Sequence, residues 1–140
     1  MFLLDTNVIS ELRKASAGKA NPAVIAWANQ QDTCSLFVSA ITIMELEIGI
    51  LQLERRDANQ GKILRNWFSN QVLPEFEDRI LEINTDIALR CARLHVPDPR
   101  SDRDTLIAAT GLVHNMTVVT RNTGDFAYTG TEILNPWDAG

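Results

Sequence analysis

Four acidic residues stand where strand-to-helix junctions would gather them: Asp5 directly after Phe2-Leu3-Leu4, Glu45 just past a second apolar run, Asp104 at the start of a late helical pattern, and Asp125 beside Gly124. Carboxylates at close range raise one another's pKa, so a cluster of them calls for a compensating cation. Oxygen donors without a His or Cys cluster suit magnesium or manganese over zinc or copper. Such an ion acidifies water and clamps the oxygens of an in-line phosphoryl displacement, so the chemistry that fits is phosphodiester hydrolysis.

Each residue also has a plainer reading. Glu45 can close a capping box with Thr42, and Asp104 one with Ser101, each worth about 1 kcal/mol. Asp5 can cap the helix that follows it, Asp125 can sit in a turn, and Thr85 or Asp86 can cap a helix of its own. Glu47 is offset from Glu45 on the same helix and is expected to face solvent. His95 and His114 have no partners at ligand spacing, and Trp67 and Trp137 are expected to pack. The set of carboxylates, and no single member, carries the functional reading.

The elements that must position these groups alternate along the chain. Phe2-Leu3-Leu4 reads as a strand that ends in Asp5-Thr6-Asn7, followed by a short helix over Val8 to Arg13 and, past the turn-rich Gly18 to Pro22, a second around Val24, Ile25 and Trp27. Cys34 to Ala40 is an expected second strand. Ile43, Leu46, Ile50 and Leu53 recur at helical intervals, as do Ile63, Leu64, Trp67 and Phe68 until Pro74 ends the pattern. Ile80 to Ile83 suggests a third strand, Ile87 to Leu94 a helix, and Val96-Pro97-Asp98-Pro99 a loop. Ser101 to His114 reads as a helix stopped by Asn115, Thr117 to Thr120 as a strand by its β-branched content, and Thr131 to Leu134 as a last strand. Strands alternating with helices predict one α/β domain over residues 1–140, with a central, mostly parallel sheet flanked by helices. In such sheets ligands collect outside the carboxyl ends of the strands, where Asp5, Glu45, Asp104 and the Arg121-Asn122-Thr123-Gly124-Asp125 loop can share one rim.

Composition sets the outer limits. Hydrophobic residues at 45% and charged residues at 22% describe a globular chain and exclude a disordered one. The net charge of -5 argues against a nucleic-acid binder when taken alone. A site that works through a divalent cation must itself be acidic, however, so that balance is compatible with a phosphate substrate. Cys34 and Cys91 form no paired or metal-spaced cluster, which fits a reducing compartment. With no basic leader before Asp5 and no long apolar stretch, a cytoplasmic protein is expected, neither secreted nor membrane-spanning.

Asp5-Thr6-Asn7, Thr42-x-x-Glu45-Leu46 with Gly49, Asp104-x-x-Ile107-Ala108-Ala109 and Thr120-Arg121-Asn122-x-x-Asp125-Phe126 together resemble the PIN-domain family. The ending Asn135-Pro136-Trp137 is similar to its VapC and FitB branch, and the resemblance spans essentially the whole chain. It implies a parallel-sheet ribonuclease that uses magnesium or manganese, the toxin of a toxin-antitoxin pair, neutralised by a DNA-binding antitoxin encoded beside it. By matching position, Asp5, Glu45 and Asp104 are the core acidic residues, with Asp5 and Asp104 the direct metal ligands. Much of the family has an aspartate where this chain has Asn122, which puts a second ion in question and makes Asp125 a substitute candidate. Thr6 and Asn7 would orient the Asp5 carboxylate. Arg13, Lys14 and Arg121 are candidate phosphate contacts, although a solvated charged face is the default reading of any single one.

Two other functions fit parts of this pattern. A receiver-type signalling domain also gathers aspartates around magnesium, but it needs a Lys after a late strand, where this chain has Arg121. A non-catalytic binding module of the same fold would have no need to keep three acidic positions. The family resemblance and the apolar helices around Val24 to Trp27 and Ile63 to Phe68 suggest a homodimer.

Overall fold

The computed structural model describes residues 1–138. Five short parallel strands, β1 (Phe2–Leu4), β2 (Leu36–Ser39), β3 (Ile80–Leu81), β4 (Thr117–Val119) and β5 (Ile133–Leu134), form one sheet in the order β3-β2-β1-β4-β5. The helices are α1 (Thr6–Arg13), α2 (Pro22–Asn29), α3 (Ala40–Arg56), α4 (Ala58–Trp67), α5 (Leu73–Glu75), α6 (Thr85–Leu94), α7 (Asp102–His114) and α8 (Thr123–Phe126). The expected α/β architecture is observed, and the sheet is entirely parallel.

The central strands are covered on both faces, which is why they read as unbroken apolar runs. Successive side chains point to opposite faces. Leu4, Val38 and Val119 enter one core with Val8, Ile9, Leu46, Ile50 and Phe68, while Leu3 and Val118 enter the other with Ile107, Ala108, Met116 and Phe126. The chain lays down β1, β2 and β3 in one direction, then returns to the other side of β1 with β4 and β5. This reversal leaves a crevice at the carboxyl ends of β1 and β4, the place where such sheets take ligands.

Several boundaries differ from expectation for identifiable reasons. The helix carrying Glu45 starts at Ala40, capped by Ser39, whose Oγ accepts from the Ile41 amide at 3.0 Å. Thr42 is therefore a fully buried interior residue and not a cap. Ser101 makes no side-chain cap at α7, so neither expected capping box forms. At α6 the cap is Asn84, which accepts from the Ile87 amide at 3.0 Å, in place of Thr85 or Asp86. Pro74 does not end its helical run: a π-helical turn over Phe68–Val72 leads into α5, and Pro74 lies in that last helix's first turn, where a missing amide is tolerated. The second strand is shorter than expected because Thr33–Ser35 form a 3-10 turn. Asn115 stops α7 as expected, with φ 55° in the left-handed region.

The surfaces offered for self-association are largely interior. Val24, Trp27 and Phe68 are buried in the core, and of that set Ile63 is well exposed, at 57%. Among the described residues no helix is long and apolar enough to cross a membrane.

Candidate active site

Asp5 emerges where β1 ends, and its amide donates to Val119 O at 2.9 Å, so the residue is still held by β4 while its side chain begins α1. The residue is buried, 6% exposed, and both carboxylate oxygens accept hydrogen bonds. Oδ1 accepts from the Thr6 amide at 2.8 Å, and Oδ2 accepts from Thr120 Oγ1 at 2.8 Å and from Asn7 Nδ2 at 3.3 Å. The capping and site readings of Asp5 are thus compatible, with one oxygen serving the helix and the other turned to the end of β4.

Thr6 joins Asp5 to Glu45. Its hydroxyl donates to Glu45 Oε1 at 2.7 Å, bridging the start of α1 to the second turn of α3. Glu45 Oε2 lies 3.7 Å from the Arg103 guanidinium. Asp104, in the first turn of α7, completes the rim. Asp5, Glu45 and Asp104 line one cavity of about 430 Å³, together with Thr6, Asn7 and Asn122.

The electrostatics reflect this crowding. Burial, opposed by the hydrogen bonds from Thr120 and Thr6, raises the Asp5 carboxyl above its usual range, and Glu45 and Asp125 add to the rise. Burial first, and then the charges of Asp5, Asp125 and Glu45, push Asp104 up to about 6. Among the described residues no three Asp, Glu, His or Cys side chains converge as a ready-made metal cage. Magnesium is commonly held by one or two carboxylates, with water and substrate phosphate filling the other positions. Oxygen donors without a His or Cys beside them suit that mode of binding better than a zinc site.

The remaining candidates divide. Asn122 lines the main cavity, and Asp125 lines a smaller one of about 160 Å³ on the other side of Asp104. Asn7 Oδ1 accepts from the Arg121 amide at 3.2 Å and so fixes the loop after β4. Arg121 reaches the cavity, its guanidinium 5.3 Å from the Trp137 ring centre. Lys14 also reaches it but is paired with Glu11 at 3.2 Å. Arg13 is not brought there; it lines the grooves between α1 and α4. Glu47 does not simply face water, because Arg65 of α4 binds it at 2.6 Å. His114 is exposed and His95 serves a loop.

Some residues at the site are given no part in it by the sequence reading, although Thr120 and Trp137 stand in the motifs that carry the family resemblance. The Thr120 hydroxyl donates to Asp5 and accepts from the Asn122 amide at 3.0 Å, making it the hub of the crevice. The parallel register that pairs Leu4 with Val119 places Thr120 opposite Asp5, and that pairing was the clue available. Glu11, 8% exposed, accepts from the Asn21 amide at 2.9 Å and lines the cavity wall. Trp137 packs against the first core, as expected of it, and also lines the cavity.

Known proteins resemble this chain in sequence and in fold. The chain is 36% identical to a VapC ribonuclease of Sinorhizobium fredii over 99% of both sequences. It is 33% identical to the toxin FitB of Neisseria gonorrhoeae, covering 98% of this chain and 99% of that one. It superposes on the crystal structure of FitAcB from the same organism with a TM-score of 0.88, over 99% of each chain. A chain of a toxin-antitoxin complex from Klebsiella pneumoniae matches with a TM-score of 0.69 at 26% identity, covering 97% of this chain and 98% of that one. The PIN domain family matches residues 2–131, and with that match over the crevice and its carboxylates, the chain belongs to the PIN domain family.

Proposed function

We propose that the protein is an endoribonuclease that hydrolyses RNA phosphodiester bonds with magnesium or manganese held at Asp5 and Asp104, acting as the toxin of a toxin-antitoxin pair. The observation that carries this reading is that Asp5, Glu45 and Asp104, from three separate elements, line one cavity at the carboxyl edge of the sheet. Relatives named ribonuclease and toxin, matching along their full length, support the reaction class.

A divalent ion supplies charge neutralisation at the phosphate and acidification of water when bound. The chain's own residues do the rest. Thr120, Asn7 and the Thr6 amide hold the Asp5 carboxylate in one orientation, and the Thr6 hydroxyl holds Glu45 by Oε1, so that it joins the donor set or positions the attacking water. Asp104, with a pKa near 6, is poised to exchange a proton near neutral pH until a cation stabilises its charge.

The partner under this reading is an antitoxin protein, as in the Klebsiella pneumoniae complex, with self-association of the toxin as a further expectation. The decisive experiment is cleavage of a mixed RNA substrate by purified protein with magnesium, with manganese and with chelator. Metal-dependent cleavage that Asp5→Asn abolishes without unfolding supports the assignment; equal cleavage by Asp5→Asn, or cleavage indifferent to chelator, overturns it. Isothermal titration with manganese separates this reading from a non-catalytic module, which has no need of a tight site.

A further inference from the structure

Asp104 is shared by two cavities, the large acidic one and the smaller one lined by Arg100, Ser101, Gly124, Asp125 and Tyr128. Each cavity has an arginine whose guanidinium lies over an aromatic ring that lines it. Arg121 lies 5.3 Å from the Trp137 ring centre on one side, and Arg100 lies 4.3 Å from the Tyr128 ring centre on the other. The other nearby cations are already committed, Lys14 to Glu11 and Arg103 to Glu45. Among the described residues neither Arg100 nor Arg121 joins an ion pair.

The Arg100–Tyr128 pair is well supported from beneath. Tyr128 sits in a 3-10 turn between two anchors, the fully buried Phe126 and Thr129, whose hydroxyl donates to Phe126 O at 2.6 Å. Tyr128 as a whole remains 37% exposed. Arg100 is held by its amide, which donates to His95 Nδ1 at 3.2 Å. With Nδ1 accepting, His95 Nε2 carries the proton and donates to Thr105 Oγ1 at 3.1 Å, tying the loop to the helix that bears Asp104. A guanidinium plane over a ring is a surface on which an unstacked base can lie, and it carries positive charge for the adjoining phosphate.

We propose that single-stranded RNA crosses the site between these two pairs, with the base on one side of the scissile phosphate stacked on Arg100 and Tyr128 and the base on the other side stacked on Arg121 and Trp137. This rests on the ribonuclease reading above. It assigns Arg100 and Tyr128 a substrate-positioning role beyond the acidic centre, and it explains how an acidic protein holds a polyanion where its own carboxylates repel it. Stacking of this kind tolerates any base, so the two pairs set register on the strand more than sequence.

The test is kcat/KM on a short RNA cut at one bond, with an abasic nucleotide placed on either side of that bond. For the wild type, removing either base is expected to lower kcat/KM by about 5- to 150-fold, the range of one base–aromatic stack. Tyr128→Ala should be slower on intact RNA and indifferent to base removal on one side only, while Trp137→Ala should be indifferent on the opposite side and Tyr128→Phe should behave as wild type. Arg100→Ala, on an exposed loop, repeats the Tyr128 test without touching the core. If Tyr128→Ala and Arg100→Ala respond to both abasic positions as the wild type does, the subsite is overturned while the nuclease stands. If the wild type cuts no RNA, the nuclease reading falls and takes this inference with it.

Discussion

Thr6 and Glu45, 39 residues apart, are joined by a 2.7 Å hydrogen bond from the Thr6 hydroxyl to Glu45 Oε1, while the Thr6 amide holds Asp5 at 2.8 Å. One residue therefore sets the relative positions of two carboxylates that repel each other. Thr6→Val keeps the side chain's shape and removes only the hydroxyl. It is expected to lower RNA cleavage or metal affinity by roughly 10- to 100-fold, the usual cost of losing such a supporting partner, with Thr6→Ser close to wild type. Cleavage rates and manganese titration, with far-UV circular dichroism as the fold check, decide this; an unchanged Thr6→Val protein would remove Thr6 from the site.

Asp104 gives the metal-free protein a pH dependence of a definite sign. Its carboxyl is raised from 3.8 to about 6, so between those values the folded state holds more protons than the unfolded state. Stability then falls as pH rises through that window, because the unfolded chain ionises first. Asp5, raised in the same direction, adds to the slope. Melting temperatures in chelator should be higher near pH 4.5 than near pH 7 as far as these groups contribute, and Asp104→Asn should flatten that difference while abolishing cleavage. A steeper slope in Asp104→Asn would contradict the charge crowding inferred for the crevice.

The same crowding makes a bound cation stabilising. A ligand at about 100 times its Kd adds about 2.7 kcal/mol to the folded state, which for a chain of this size raises Tm by roughly 5–10 °C. Saturating manganese should produce that shift at pH 7 in the wild type and lose most of it in Asp5→Asn, measured by differential scanning calorimetry. An equal shift in Asp5→Asn would place the ion elsewhere.

Where the chain's own pattern was informative, burial explains why. Leu3-Leu4 and Val118-Val119 are covered on both faces, as central parallel strands are, and the polar residues just past them, Asp5 after β1 and Thr120 to Asn122 after β4, fall at one edge. What escaped notice depends on contacts between elements. Thr120 reads as a strand former until β4 is set beside β1, and Glu47 reads as solvated until α4 brings Arg65 over it. Arg100 and Tyr128 belong to separate loops that share no periodicity, so only the fold places them together. The start of α6 is misplaced from sequence because Asn84, Thr85 and Asp86 all qualify locally as caps; Asn84 is the one used, accepting from the amide of the buried Ile87.

Two glycines of the α3–α4 hairpin are expected to respond oppositely to the same substitution. A Cβ on Gly61 would stand 2.5 Å from Glu54 Cα and 2.8 Å from Glu54 N, a clash with backbone that only separation of the helices relieves. Gly61→Ala should cost about 1–3 kcal/mol, the range for overpacking a close contact, and should also disturb the Arg65 pairs to Glu47 and Glu54 across the same helices. Gly49 belongs to the stretch that resembles the family, yet a Cβ there meets nothing within 4 Å and the position is exposed. Gly49→Ala should therefore stabilise by up to about 1 kcal/mol through helix propensity alone. Urea unfolding at constant m-value measures both. Equal effects of the two substitutions would mean that Gly61 is not what allows α4 to lie so close to α3.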